Sequence, residues 1–395
     1  MPKLLQINAT ANWGSTGKIA ESIGILAMNN GWESIVAYGR KANPSRSNLI
    51  RVGGSLNPYF HFAQQYLFDA EGQYSSYATK QLVKKMIEIK PDIVQLHNLH
   101  DHWLNFPLLF EYLNKTDIKV VWTFHDCWAF TGHCHHFVHI DCNKWKSGCY
   151  DCPQRKGLLD CSMRNYKMKK GLFVGNKNLT IIPVSKWMAN FVQESFFKEK
   201  DIRVIHNGID LNIFTPKGKL KTTRLKILAV SNVWHRNKGL YDVFELRKLL
   251  PQEIEITMVG LSESQILKLP EGIVGIQRTQ NVQELAMLYS KSDVLINPTY
   301  ADTFPTVNLE ALACGTPVIT YDTGGSPEAI DKYTGIVIPQ GDVKALSEAI
   351  IKIKDNPMSS EKCRERAEMY FDKDKCFHRY IELYEELLKR KKEKG

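Results

Sequence analysis

Two doubly wound α/β halves, each a parallel sheet with helices on both faces, are what the sequence predicts, and three observations carry that expectation. Short apolar runs such as Lys3–Asn8, Asp92–Leu96 and Leu225–Val230 alternate with stretches of helical periodicity. Glycine turns stand where several of these strands pass into helices, at Gly14–Gly17, Lys238–Gly239 and Thr323–Gly325. The 395 residues suffice for two full cores, and 43% hydrophobic with 24% charged residues is an ordinary globular balance. No apolar run approaches the roughly 18–20 residues of a membrane span and no basic-then-apolar leader opens the chain, so a cytosolic protein is expected. The net charge of +10 admits nucleic acid, an anionic membrane face or phosphorylated substrates as partners.

In the first half, strand Lys3–Asn8 leads through the Gly14-Ser-Thr-Gly17-Lys18 loop into a helix that ends at Asn30-Gly31. The spacing is wrong for a nucleotide-binding P-loop, but such a loop lets a ligand approach the backbone closely. A strand at Ser34–Tyr38, an irregular stretch from Lys41 to Asn57 and helices over Tyr59–Ala70 and Tyr77–Ile89 follow. Strands Asp92–Leu96 and Lys119–Phe124 then end at His97 and His125, delivering both imidazoles to the carboxyl edge of a parallel sheet, where such sheets bind ligands.

Six of the nine cysteines fall between Cys127 and Cys161, with His133, His135, His136 and His139 among them. Cys149-Tyr-Asp-Cys152 is a zinc-knuckle spacing, and Cys134 with Cys142 can complete a tetrahedral set; the competing reading is a cluster of free or partly oxidised thiols. A metal there is expected to be structural, a candidate Zn²⁺, with no catalytic cofactor. Basic residues concentrate from Arg155 to Lys177, including Lys156, and with Tyr166, Leu172 and Phe173 interleaved they read either as a face for anionic headgroups or as a solvated surface. Nucleic acid is set aside because no recognised binding module is present. A strand Thr180–Ser185, a strand and turn over Val204–Asp210 and a polar hinge, Lys217 to Arg224, complete this half.

In the second half, strand Leu225–Val230 runs into the loop Ser231–Gly239, and strands Glu255–Val259 and Val274–Arg278 follow. The stretch Asp302-Thr-Phe-Pro-Thr-Val-Asn-Leu-Glu310, continued by Ala311-Leu-Ala-Cys-Gly-Thr-Pro-Val-Ile319, places two carboxylates eight positions apart around the start of a buried helix. A helix start offers N–H groups and the positive end of a dipole, which suits a phosphate, and acids beside it suit vicinal hydroxyls.

That stretch resembles the donor-site signature of the family 4 glycosyltransferases, which have the two-domain GT-B fold, with Asp302 where the family usually has Glu and Pro305 where it often has Gly. The resemblance implies two Rossmann-like domains facing across a cleft: an acceptor-side domain over 1–180 with an insertion near 127–161, a donor domain over 181–372, and a last helix, 373–395, that packs back on the first. It implies that Lys238, with Asn232 where the family carries Arg and Arg236 nearby, neutralises the donor diphosphate together with the Thr306 and Val307 amides. Glu310 is then expected to bind ribose and Asp302 the donor sugar. His125 is expected to contact that sugar from the opposite domain, Arg278 the base, and Gly14 and Gly17 to lie over the phosphates. The implied activity is retaining transfer from a UDP- or GDP-sugar to a lipid-linked saccharide acceptor in surface polysaccharide biosynthesis, with peripheral contact to the inner leaflet. The competing classes are a nucleotide-sugar epimerase of the same fold and a zinc-containing non-catalytic adaptor.

Overall fold

A computed structural model describes residues 1–155, 158–218 and 224–392. Lys156 and most of the expected hinge therefore lie outside the described residues. The chain divides into two compact units, Met1–Ile205 with Phe377–Gly395, and His206–Cys376.

The first unit is built on strands β1 (Lys3–Asn8), β2 (Glu33–Tyr38), β3 (Asn48–Arg51), β4 (Ile93–Leu96), β5 (Lys119–Phe124), β6 (Leu179–Pro183) and β7 (Asp201–Ile202). They form one parallel sheet in the order β3-β2-β1-β4-β5-β6-β7. Leu4, Leu5, Ile7, Ile93, Val94 and Val120 are fully buried, because helices cover both faces and leave no solvent side for polar alternation. Those helices are α1 (Gly14–Asn29), α2 (Asn57–Phe68), α3 (Ser76–Ile89), α4 (Phe106–Leu113), α5 (Ser162–Gly175) and α6 (Lys186–Glu194). Side-chain caps fix two of the starts: Asn105 accepts from the Leu108 N–H and Ser185 from the Met188 N–H. Trp122, Phe110 and Phe173 interlock in the core, with the two Phe rings 4.5 Å apart.

The second unit carries β8 (Lys226–Val230), β9 (Glu255–Val259), β10 (Ile273–Ile276), β11 (Val294–Asn297), β12 (Val318–Tyr321) and β13 (Gly335–Ile338), all parallel, in the order β10-β9-β8-β11-β12-β13. Its helices are α7 (Leu240–Leu249), α8 (Glu263–Ile266), α9 (Val282–Lys291), α10 (Thr306–Ala313), α11 (Val343–Asp355) and α12 (Ser360–Tyr370). The last helix, α13 (Lys373–Lys392), starts in the second unit and continues into the first. There Tyr384 donates to Gln95 Oε1 at 3.0 Å, the Tyr380 hydroxyl lies 3.0 Å from Thr123 Oγ1, and Glu386 pairs with Arg203.

Four expectations need correction. The boundary falls after Ile205 rather than at 180, because β6 pairs with β5 and β7 and keeps residues 181–205 in the first unit. Likewise residues 373–376 stay with the second unit. Val204–His206 is not a regular strand; β7 ends at Ile202, and Ile205 continues extended beside β6 by donating its N–H to Pro183. The basic stretch is largely helix α5, and its aromatics do not interleave with the surface charges: Tyr166 and Phe173 are buried, as is Lys169, which donates to the Trp128 and Thr131 carbonyls.

Candidate active-site residues in each unit

In the second unit the strand order reverses between β8 and β11, so the loops leaving those two strands diverge and open a crevice at the carboxyl edge. Lys238 ends the β8 loop and Asp302 lies in the β11 loop. The Lys238 ammonium donates to Asp302 Oδ2 at 2.7 Å and to the Ala301 carbonyl at 3.3 Å. The Tyr300 N–H also donates to the Asn237 carbonyl, tying the two loops together at backbone level. On its other side the acid loop meets Gly324, whose φ of +61° and close approach to the Asp302 carbonyl leave no room for a side chain. Gly325 donates its N–H to the Thr303 carbonyl there.

Helix α10 starts directly after this loop, with Pro305 as its cap residue. Asn308, fully buried, fixes its direction by accepting from Asn297 at 2.9 Å and donating to Ser326 Oγ at 2.8 Å. The first-turn N–H groups of Thr306 and Val307 have no intrahelical acceptor by construction and sit beside the Asp302 loop. Glu310, in the second turn, accepts from the Tyr289 hydroxyl at 2.8 Å. Burial and the Glu310 charge push the Tyr289 pKa well above its ordinary value, so it remains a donor. One short helix thus gathers Lys238, Asp302, two amides and Glu310. Asn232 and Arg236 are exposed on the β8 loop, and Arg278 is exposed beyond the end of β10, two strands away from β8.

In the first unit the order reverses between β1 and β4. Gly14 opens α1, and Gly17 packs so closely on the preceding loop that a Cβ would stand 2.8 Å from Thr10 Oγ1. Asn8 holds that loop by donating to the Thr10 carbonyl, and it accepts from the Asn98 N–H after β4. His97 and His125 stack with centroids 5.4 Å apart, Nδ1 of the first lying 3.1 Å from Nε2 of the second. Burial lowers His125 to about 4 against the opposing pull of Asp126, so it is a neutral imidazole at physiological pH.

Sequence reasoning missed the acid–histidine cluster next to this pair. His100 Nε2 is 2.8 Å from Asp126, and His135 reaches Glu71 at 3.4 Å and Asp126 at 3.6 Å. Burial opposes charge on His100 and on Asp126, but their mutual attraction wins, raising the histidine well above and the acid well below its ordinary range. Asp101 and His102 both adopt left-handed backbone, φ +77° and +65°, a conformation costing of order 1–3 kcal/mol per residue and concentrated at functional sites. The signal available in the sequence was His100 and Asp126, each within four residues of the end of a neighbouring strand.

The cysteine-rich segment does converge. Cys134, Cys142, Cys149 and Cys152 line one pocket together with Phe137 and Trp145. Cys134 and Cys152 sulfurs are 3.7 Å apart, and all nine cysteines are free thiols.

Two family models match this chain: "Glycosyltransferase Family 4" over residues 28–213 and "Glycosyl transferases group 1" over residues 213–369. An Escherichia coli (strain K12) protein, WcaC, named as a colanic acid biosynthesis glycosyl transferase, is 26% identical over 275 residues, 65% of this chain and 66% of its own length. An N,N'-diacetylbacillosaminyl-diphospho-undecaprenol alpha-1,3-N-acetylgalactosaminyltransferase of Campylobacter jejuni is 26% identical over 52% of this chain and 60% of its own. This chain thus spans less than two thirds of the length of these curated relatives. Among solved structures, sucrose-phosphate synthase from Thermosynechococcus elongatus superposes with a TM-score of 0.76 at 18% identity, covering 99% of this chain and 100% of that one. Anabaena HepE in complex with UDP gives 0.66 at 14%, covering 98% and 100%. These likenesses bear out the GT-B fold class. With the two models together spanning 28–369, the chain belongs to the family 4 glycosyltransferases.

Proposed function

We propose that this chain transfers a sugar from a UDP- or GDP-sugar to a lipid-linked saccharide acceptor in surface polysaccharide biosynthesis, with retention at the anomeric carbon. The observation that carries the reading is the Lys238–Asp302 pair at the start of α10, at the point where the strand order reverses. The HepE complex with UDP, and the diphospho-undecaprenol in the Campylobacter enzyme's name, support the donor and acceptor classes.

In this scheme the donor diphosphate takes Lys238 from Asp302 and lies on the Thr306 and Val307 amides. The ammonium and the helix dipole then stabilise the charge that grows on the departing diphosphate, and no catalytic metal is required. Asp302, released from Lys238, accepts from hydroxyls of the donor sugar. Glu310, held by Tyr289, accepts from the ribose hydroxyls. His125, neutral, supplies a hydrogen-bonding nitrogen to the sugar without adding charge. Arg236 and Asn232 lie on the same loop as Lys238 and assist with the diphosphate, and Arg278 reads the base.

The test is a panel of UDP- and GDP-sugars with a polyprenyl-diphosphate saccharide, following product anomer by NMR and released nucleotide. Transfer that keeps the donor configuration and collapses in Lys238→Ala and Glu310→Ala supports the reading. Interconversion of free donors without transfer, or absence of nucleotide binding, overturns it.

Peripheral membrane association also belongs to this proposal, carried by α2 rather than by the α5 aromatics. Tyr59, Phe60, Phe62 and Tyr66 are 50–74% exposed on α2. Leu158 and Arg164 bond to its Tyr66 and Phe68 carbonyls, bringing exposed Leu159, Met163 and a cation alongside. Aromatic side chains bordered by cations suit an anionic interface. Flotation with vesicles containing anionic lipid is expected to carry the protein, and Phe60→Ser with Phe62→Ser to abolish it; binding unaffected by that pair rules the face out. No described helix is long and apolar enough to cross a membrane.

A further inference from the structure

We propose that Cys134, Cys142, Cys149 and Cys152 bind one structural zinc ion, with His133 gripping the Cys152 sulfur from outside the coordination shell. All four cysteines, spread over 19 residues of sequence, line a single pocket floored by the buried rings of Phe137 and Trp145; His133, Cys134 and Cys152 form its tight group, and the Cys142 and Cys149 sulfurs close in as the ion binds. Two thiolates about 2.3 Å from a tetrahedral zinc stand roughly 3.8 Å apart. Cys134 and Cys152 are already at 3.7 Å.

His133 is the fifth candidate donor, since one of its nitrogens clusters with Cys134 and Cys152. Its Nε2 lies 3.0 Å from Cys152 Sγ, shorter than the roughly 3.6 Å that a nitrogen and a sulfur sharing one zinc would keep. The two are therefore hydrogen-bonded partners rather than co-ligands, a zinc-bound Cys152 thiolate acting as the acceptor. The other ring nitrogen is 2.8 Å from Asp69, so carboxylate, imidazole and sulfur form a relay that orients the ligand. Cys149 Sγ accepts the Gly132 N–H at 3.1 Å, a second hydrogen bond suited to a thiolate. Four thiols release their protons to solvent as the ion binds, and the resulting anionic centre has Lys144 on the same pocket wall.

The fold gives this ion work to do. Between β5 and α5 the described backbone forms only three short 3₁₀ turns, at Trp128–Phe130, Val138–Ile140 and Lys144–Lys146, too little regular structure to hold a segment this long. Its N-terminal part carries His135 into contact with Asp126 and Glu71, and the Cys127 N–H donates to the His135 carbonyl. Zinc fastened at residues 134–152 thus fixes the acid–histidine cluster in place.

Metal analysis of the full chain, purified in reductant without chelator, is expected to give about one zinc per chain. Cobalt substitution is expected to give a tetrahedral spectrum with charge-transfer intensity for four thiolates. Cys142→Ser and Cys149→Ser should lose the metal, whereas Cys127→Ser and Cys161→Ser should keep it. His133→Gln should keep the stoichiometry while weakening retention against a chelator by roughly 10–100-fold. Should the serine variants fail to fold, the wild-type cobalt spectrum decides alone, two or three thiolates counting against the site. Less than about 0.2 equivalents with all four thiols alkylated natively, or a Cys134–Cys152 disulfide under these conditions, overturns it. None of these readouts depends on transfer activity.

Discussion

Replacing Lys238 by Ala removes the cation that is paired with Asp302 beside the start of α10. Its ammonium is 2.7 Å from Asp302, in side chains 28% and 26% exposed, so the site is neither bulk water nor dry interior. At an effective dielectric of about 20, unit charges 4 Å apart interact by about 4 kcal/mol. The charge that develops on the departing diphosphate is roughly half to one unit, which gives about 2–4 kcal/mol of transition-state stabilisation. That corresponds to a fall of roughly 30- to 900-fold in turnover. The folded state should lose less than about 1 kcal/mol, because a partly exposed ion pair contributes little. Steady-state kinetics with saturating donor, beside urea denaturation of the same preparation, separates the two. Lys238→Arg, which keeps the charge but not the point geometry, should fall between the extremes. Turnover within about threefold of the parent, with unchanged stability, would refute the diphosphate role.

Three other outcomes follow from the same structure. Glu310→Ala should weaken nucleotide binding by roughly 10–100-fold in calorimetry and cost about 1–2 kcal/mol of stability, since the buried Tyr289 hydroxyl loses its acceptor; Glu310→Gln should recover the stability but not the affinity. His125, at about 4 in the folded chain against an ordinary 6.5, binds its proton only on unfolding across that window. Stability should therefore fall as pH drops from 6.5 to 4, His125 contributing roughly 3 kcal/mol of that loss, and His125→Asn should reduce the difference between urea midpoints at pH 7 and 4.5; an unaltered difference would contradict a buried neutral imidazole. Tyr380, on the buried face of α13 and 1% exposed, should cost about 3–5 kcal/mol when cut to Ala, read as a lowered denaturation midpoint.

Much of this architecture is legible in the sequence because parallel strands with both faces covered are runs of apolar residues, as at Ile93–Leu96 and Val294–Asn297. What stayed hidden has physical causes. Strand β3 is an edge strand with three of four residues exposed, so it carries no apolar run. Helix α12 buries only Cys363 and Ala367, leaving too narrow a stripe to betray a period. Lys169 looks like its exposed neighbours Lys167 and Lys170, and only the Trp128 and Thr131 carbonyls, about 40 residues away, explain its burial. At the candidate sites the local motif made Asp302, Thr306 and Glu310 readable together. The Glu71–His135 contact joins residues 64 apart, which no local pattern encodes.

The most direct measurement is a crystal structure of this protein with UDP or GDP bound. The diphosphate is expected within hydrogen-bonding distance of Lys238 Nζ and the Thr306 and Val307 amides, with the ribose hydroxyls on Glu310 and the Lys238–Asp302 contact opened. Nucleotide bound elsewhere, with Lys238 still 2.7 Å from Asp302, would contradict the assignment.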